Sequence, residues 1–539
     1  MLLCICLTAC LFFGCGGKSN TGKTGGEKVF RLAVVDPQVP LDMHLNTYSD
    51  IMRLTDNVTE SLFISREDGS IAPVLIEGTP SFSPETLTYA FTIKSGVQFH
   101  NGQPLTSRDV KYSLERVVKK QSMASLLETV VGYRDLQSGA ANELAGIKII
   151  DDTHFTITLS RIYTPFLAAL STPYTAIYPA DACEEAGDTW GTKTLIGTGP
   201  FKLDNYTPDV GAEMSKFAEY HGGAAILDKI SYKFVPDANT QVLEYQKGNV
   251  DFVGLKNSLY PVYANNAQLK DQIHSYQQVG GYYFLPNVKV IPDARVREAV
   301  SLAVDRKAIC ESVLHGTASV PSSFIPPALI GHDKNALPFE YAPDRAKALL
   351  AEAGFANGYD LRVTVISSNS LGLQIATAFQ EEARPAGINV QIEQVDRSAW
   401  TDMKRNGGID CSVSNWYVDY SDPDSMLYPV SAGRVDLSSS FWHDPRFEKL
   451  MDDGVLTDDT AARQKIYEQA EHILTREDFA ALPLINEVNF YLLNPKVTGF
   501  TIDSATRIYC GRADIQYRQA CAARNARRTI CKEIRWPHI

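Results

Sequence analysis

The sequence predicts an α/β architecture in which sheets are covered by helices. Three observations point there. Runs with strand periodicity and runs with helix periodicity alternate along the chain from residue 29 onward. Gly, Pro and Asp mark the changes between them. The composition, 44% hydrophobic and 21% charged, is that of an ordinary globular protein. At 539 residues the chain exceeds what one core usually serves, so two or three domains are expected.

The first strand is Val29-Phe30-Arg31-Leu32-Ala33-Val34-Val35, closed by Asp36-Pro37. Tyr89-Ala90-Phe91-Thr92-Ile93 alternates at period two and reads as another, with Lys94-Ser95-Gly96 as its turn. Thr106 then caps a helix, and Asp109 stands three residues on as the acid of a capping box. Val110, Leu114 and Val117 give that helix its apolar stripe. Further on, Pro343-Asp344 opens a helix over 345–353 that Gly354 stops. A strand over 361–366, a helix over 374–384, a Pro385-Ala386-Gly387 stop and a strand over 388–392 follow. Residues 513–517 read as a final strand. No internal repeat and no second long apolar segment interrupts this rhythm.

Residues 1–14 are almost wholly apolar, far too short for a membrane-spanning helix but suited to the core of a signal peptide. No Lys or Arg precedes them, which a start further upstream would explain. The run ends in Leu11-Phe12-Phe13-Gly14-Cys15-Gly16-Gly17 and resembles a bacterial lipobox, with Phe12 where Leu is usual. Cys15 is the expected lipidation site and Cys10 the alternative. The polar residues 18–28 would form a flexible tether.

Gly17-Lys18-Ser19-Asn20-Thr21-Gly22-Lys23-Thr24 matches the phosphate-binding P-loop pattern letter for letter. That chemistry needs a buried strand before the loop and a helix opening at its end. Here an apolar leader precedes it and a strand follows, so it reads as tether. The later cysteines, Cys183, Cys310, Cys411, Cys510, Cys521 and Cys531, show no CxxC spacing. The formal net charge of −12 argues against nucleic acid or an anionic membrane surface as the main partner.

Several segments together carry a family resemblance. The longest runs Leu87-Thr88-Tyr89-Ala90-Phe91-Thr92-Ile93-Lys94-Ser95-Gly96-Val97-Gln98-Phe99-His100-Asn101-Gly102-Gln103-Pro104-Leu105-Thr106-Ser107-Arg108-Asp109-Val110. Gly197-Thr198-Gly199-Pro200-Phe201, Leu227-Asp228-Lys229-Ile230 and Gly248-Asn249-Val250-Asp251 follow in order. So do Val296-Arg297-Glu298-Ala299-Val300, Ala303-Val304-Asp305-Arg306 and the helix over 346–355. Their order and spacing resemble family 5 of the bacterial extracellular solute-binding proteins, the peptide and nickel class, over 29–517.

The resemblance implies a two-lobed, periplasmic-binding-protein-like fold of type II, in its large three-domain variant with mixed sheets. It implies a ligand enclosed between lobes that close about a hinge. The domains expected are a signal peptide and lipoprotein tether over 1–28, and a discontinuous first domain over 29–68, 197–282 and 488–517. A second domain covers 69–196, and a third, forming the second lobe, covers 283–487. Residues 518–539 form a basic tail that fits either an extended reading frame or an arm for an anionic surface.

The expected site is Trp416-Tyr417-Val418-Asp419-Tyr420-Ser421-Asp422-Pro423. Peptide-binding members resemble this segment, and their Asp at the position of Asp419 pairs with the peptide's α-ammonium. A closed cleft excludes water, so a buried amine needs such a carboxylate. Trp416 would supply an apolar wall or a cation–π face. Tyr417 and Tyr420 are the flanking ligand-binding candidates, and Asp422 reads as a cap ahead of Pro423. No basic residue for the ligand carboxylate is evident; Ser412, Val413 and Ser414 stand where some peptide receptors carry Arg. His100, His154, His221, His443 and His472 are scattered without ligand spacing. Asp305-Arg306 reads as an ion pair or helix feature.

The expected function is therefore a substrate-binding lipoprotein of an ABC importer, with no cofactor and no metal, acting as a monomer. It would hand a peptide to the permease subunits at the outer face of the membrane. A nickel chelate, haem or an oligosaccharide are the alternative cargoes, because one fold serves many ligands. An enzyme, a peptide hydrolase among them, has little support: no GxSxG elbow, HExxH pair or dinucleotide Gly fingerprint is present in context. A signalling or adhesion lipoprotein of the same fold is a third reading.

Overall fold

The computed structural model describes residues 26–66, 69–431, 438–503 and 506–516. Cys15, Cys10, the 17–24 P-loop match, Cys521, Cys531 and the basic tail lie outside these residues.

One sheet of 12 strands runs through both lobes. In the first lobe Val29–Val34 lies parallel to Lys229–Phe234 and to Phe252–Leu255, and Gly211–Lys216 and Phe201–Thr207 extend it antiparallel. In the second lobe Tyr359–Ile366 lies parallel to Ile388–Val395 and Cys411–Tyr417, which in turn pairs antiparallel with Gly280–Pro286. The strand Leu482–Leu493 belongs to both. Leu482, Pro483 and Ile485 pair with Phe284, Tyr283 and Tyr282, whereas Phe490 to Leu493 pair with Phe252–Leu255. The chain crosses between the lobes along this strand and again between Ile273–Gln277 and Gly280–Pro286. Two antiparallel crossings form a hinge.

Gly280 and Gly281 mark where the second crossing enters the second lobe. Gly280 has φ +152°, and a Cβ there would lie 2.2 Å from the Trp416 carbonyl oxygen. A Cβ on Gly281 would lie 2.3 Å from the Ile485 carbonyl oxygen. Backbone touches backbone at this point, which only glycine permits.

A separate four-stranded antiparallel sheet, in the order Ser81–Ser83, Thr88–Thr92, His154–Thr158, Ile147–Ile149, completes the first lobe. The helix Ser107–Lys120 covers it and buries Val110, Leu114 and Val117 completely. Each such side chain contributes about 1.5–3 kcal/mol relative to exposure. The expected capping box is present: the Thr106 N–H and Oγ1–H both donate to Asp109 Oδ2, at 3.0 and 2.6 Å. Asp109 Oδ1 also accepts from the Ala180 N–H at 2.9 Å, so one carboxylate ties two segments. Asp109→Ala should cost about 1–2 kcal/mol, read as a lower urea midpoint at unchanged slope. An unchanged midpoint would show that the cap contributes nothing.

The Gly197-Thr198-Gly199 segment packs without room for side chains. A Cβ on Gly197 would lie 2.0 Å from the Val58 carbonyl oxygen, and one on Gly199 2.6 Å from that of Asn57.

Two sequence expectations need correction in detail, and a third is resolved between its alternatives. The helix expected over 374–384 spans Ser370–Glu382, because Asn369 Oδ1 accepts the Gly372 N–H at 2.9 Å and starts it earlier. Among the described residues the final strand spans Asp514–Ile515, paired with Val497–Thr498. Of the two readings of Asp305-Arg306 the helix feature holds, and the two make no ion pair with each other. Asp305 caps the turn through the Ala308 N–H, and buried Arg306 donates to the carbonyls of Pro483 and Ser301.

Candidate functional site

The site is built where Cys411–Tyr417 leaves the sheet beside the hinge. Ser425 holds the exit in shape: its carbonyl accepts the Trp416 Nε1–H at 2.8 Å and its hydroxyl accepts the Asp419 N–H at 2.9 Å. Asp422 caps the helix Pro423–Leu427 through the Asp424 N–H at 3.0 Å, and is ion-paired with Arg463 at 2.9 Å. Both partners of that pair are buried, and burial pushes the Asp422 carboxyl up to about 6 even with Arg463 beside it. The cap expected from the Asp-Pro pair is thus also a buried charge anchor.

Held this way, Trp416, Asp419 and Tyr420 line a cavity of about 220 Å³ between the lobes. Its other walls include Met123, Leu126, Tyr163 and Ala169 from the first lobe and Tyr428, Pro429 and Val455 from the second. Tyr417 does not line it. Its side chain takes the alternate face of the strand, and its hydroxyl donates to Glu487 on the hinge crossing.

The Asp419 carboxylate is partly buried and has no hydrogen-bond or ion-pair partner among the described residues. Burial alone pushes it up to about 6. The neighbouring acids are all engaged. The hydroxyls of Tyr163 and Tyr420 lie 2.8 Å apart and both reach Asp424 Oδ2, at 3.0 and 3.1 Å. Glu128 takes Arg161 at 3.3 Å.

The lobes meet around this cavity. The Thr164 N–H donates to the Val455 carbonyl at 2.9 Å, and the Ser65 and Ser421 hydroxyls are hydrogen-bonded. Val455, from the second lobe, is buried in the apolar core of the first. Tyr163, Asp424 and Ser425 were missed by sequence reasoning. Tyr163 is some 250 residues from Tyr420 in the chain, so no local spacing could have joined them.

A cleft of about 570 Å³ beside the helix Ser107–Lys120 is larger and is lined by Arg108, Lys111, Arg116, Lys119 and Lys120, of which Arg108, Lys111 and Arg116 are paired with Asp181, Glu143 and Asp42. Among the described residues no group of three or more His, Cys, Asp or Glu could hold a metal ion. His221 and His100 serve packing: His221 is 2.8 Å from Glu60, and His100 2.9 Å from the Gly199 carbonyl. Cys183, Cys310, Cys411 and Cys510 are free and buried. No helix among the described residues is long and apolar enough to cross a membrane.

The family model for bacterial extracellular solute-binding proteins, family 5 (middle region), matches residues 70–436. The chain belongs to that family. It is 25% identical over 461 residues to the heme-binding protein A of Haemophilus influenzae, covering 80% of this chain and 81% of the relative. It is 27% identical over 447 residues to the dipeptide-binding protein of Escherichia coli K12, covering 78% and 82%. The solved structure of HbpA2 from Haemophilus parasuis superposes with TM-score 0.80 at 22% identity, covering 91% of this chain and all of that one. The two-lobed fold is that of the family, and its members are solute-binding proteins that work with importers.

Proposed function

We propose that this family 5 protein captures a short peptide by its α-ammonium group and delivers it to the permease of an ABC importer. The observation that carries the reading is the Asp419 carboxylate, partly buried beside an interlobe cavity with no hydrogen-bond or ion-pair partner among the described residues. Leaving a buried charge unpaired is costly, so the site is arranged for a cation that arrives with the ligand. An ammonium ion meets that need, and Trp416 and Tyr428 offer it, or the side chain beside it, an apolar wall. The match to a dipeptide-binding protein supports the same cargo. In this reading Cys15 carries the lipid that holds the receptor, as a monomer, at the outer face of the membrane. Capture without turnover makes it a carrier and not an enzyme.

Native mass spectrometry of the purified protein tests the cargo. A co-purifying peptide mass supports the reading. A haem mass with its visible absorption band would favour the second cargo, which the match to a heme-binding protein brings into view. A metal or sugar mass would overturn the peptide.

The raised carboxyl of Asp419 also gives a pH signature. Its folded value of about 6 lies above the usual 3.9, so the ligand-free protein gains stability from the neutral acid at low pH. That gain is lost as pH rises through about 6. Ammonium binding runs the other way, because it needs the ionised form. Peptide affinity measured by calorimetry should therefore rise several-fold between pH 5 and pH 7, and Asp419→Asn should flatten the profile. A flat profile in the wild type would count against the ammonium pair.

A further inference from the structure

Asp419 faces a second, much smaller cavity of about 30 Å³, and the opposite wall of that cavity comes from the first lobe. Arg507 stands there with Ser65, Ser171, Pro173 and Asp503. The same Arg507 also lines a chamber of about 760 Å³ inside the first lobe. It therefore sits at a neck, with Asp419 across from it and a large chamber behind.

Arg507 is 6% exposed and firmly oriented. Its Nε–H donates to Asp503 Oδ2 at 2.7 Å, and Nη1 and Nη2 each donate once, to the carbonyls of Ser171 at 3.2 Å and Ser65 at 3.5 Å. The second N–H on each terminal nitrogen has no acceptor among the described residues. Buried guanidinium donors are normally satisfied, and two N–H groups on one planar head match a carboxylate. Nearby acids make no second contact with the terminal nitrogens: Asp503 holds the Nε edge, Asp56 accepts the Ile508 N–H at 3.2 Å and acts on Arg507 only through its charge, and Glu60 is taken by Thr198, Tyr220 and His221. Arg66 and Arg512 line the same chamber and add positive potential.

We propose that Arg507 anchors the carboxylate of the ligand whose ammonium pairs with Asp419, so that each lobe holds one end of a zwitterion. This rests on the peptide reading above. It makes Arg507 a specificity determinant for free peptide acids, and it makes closure depend on a ligand that carries both charges.

The test offers the full chain an equimolar mixture of random tripeptides as free acids, as C-terminal amides and as N-acetyl derivatives, with the bound masses read by native mass spectrometry. Wild type should retain acids over amides by about tenfold or more, the yield of a charged hydrogen-bonded contact. Arg507→Gln should bring that ratio to within about twofold while N-acetyl peptides stay rejected. Arg507→Lys, which keeps the charge and loses the planar fork, should fall between them. Equal retention of acids and amides by wild type, with N-acetyl forms rejected, overturns the role of Arg507 and leaves the ammonium reading standing. Retention of neither removes the peptide reading and this proposal with it. If Arg507→Gln does not fold, Arg507→Lys with the full wild-type ratio overturns the proposal.

Discussion

Asp419→Ala is expected to weaken binding of a free-amine peptide by about 2–4 kcal/mol, roughly 30- to 1,000-fold, with the melting temperature of the ligand-free protein unchanged or raised. The two halves of the expectation have one cause. In the complex the variant leaves a desolvated ammonium ion without a counter-charge, which is the expensive state of a broken buried pair. In the free protein it removes a carboxylate that burial already disfavours and that no described residue stabilises. A structural acid behaves oppositely: Asp422→Ala strands buried Arg463 and should lower stability. Calorimetry and thermal melting on the two variants separate the roles. Unchanged peptide affinity in Asp419→Ala would sink the assignment.

The second large effect is expected at the hinge. Gly280→Ala should destabilise the fold by roughly 2–4 kcal/mol and reduce ligand affinity as well. The new Cβ would lie 2.2 Å from the Trp416 carbonyl oxygen and 2.7 Å from the Tyr417 Cα, on a backbone with φ +152°. Neither neighbour is a flexible side-chain end, so the strand Cys411–Tyr417 itself must shift, and it carries Trp416 into the cavity wall. Urea denaturation reads the first effect and peptide titration the second. A variant with wild-type midpoint would show that the strands part there at no cost.

Much of the fold was legible because its signals are local. The capping box at Thr106 and Asp109, the stripe Val110, Leu114 and Val117, and the strand ended by Asp36-Pro37 each depend on residues a few positions apart. The last strand was misjudged in length because its partner, Val497–Thr498, is equally short and contributes little pattern. The site was legible only in its continuous part. Trp416, Asp419, Tyr420 and the cap at Asp422 lie in one segment, and alternation along the strand explains why Tyr417 points elsewhere. Arg463, Tyr163 and Arg507 are brought to the segment from distant helices, loops and the other lobe. Nothing in one sequence marks such meetings. The same holds for Gly280 and Gly281, whose need for glycine comes from backbones far away in the chain.

The strand Leu482–Leu493, shared by both halves of the large sheet, also dictates the order in which the molecule can be made. Phe252–Leu255 finds its antiparallel neighbour only when Phe490 to Leu493 exist, and Gly280–Pro286 waits for Leu482. At roughly 5–20 residues per second a ribosome needs about 25–100 s to reach this segment. Until then both lobes expose unsatisfied edges, and pairings of very long sequence separation make the final docking slow. The nascent chain is thus held back from its native state by its own topology, for as long as translation lasts.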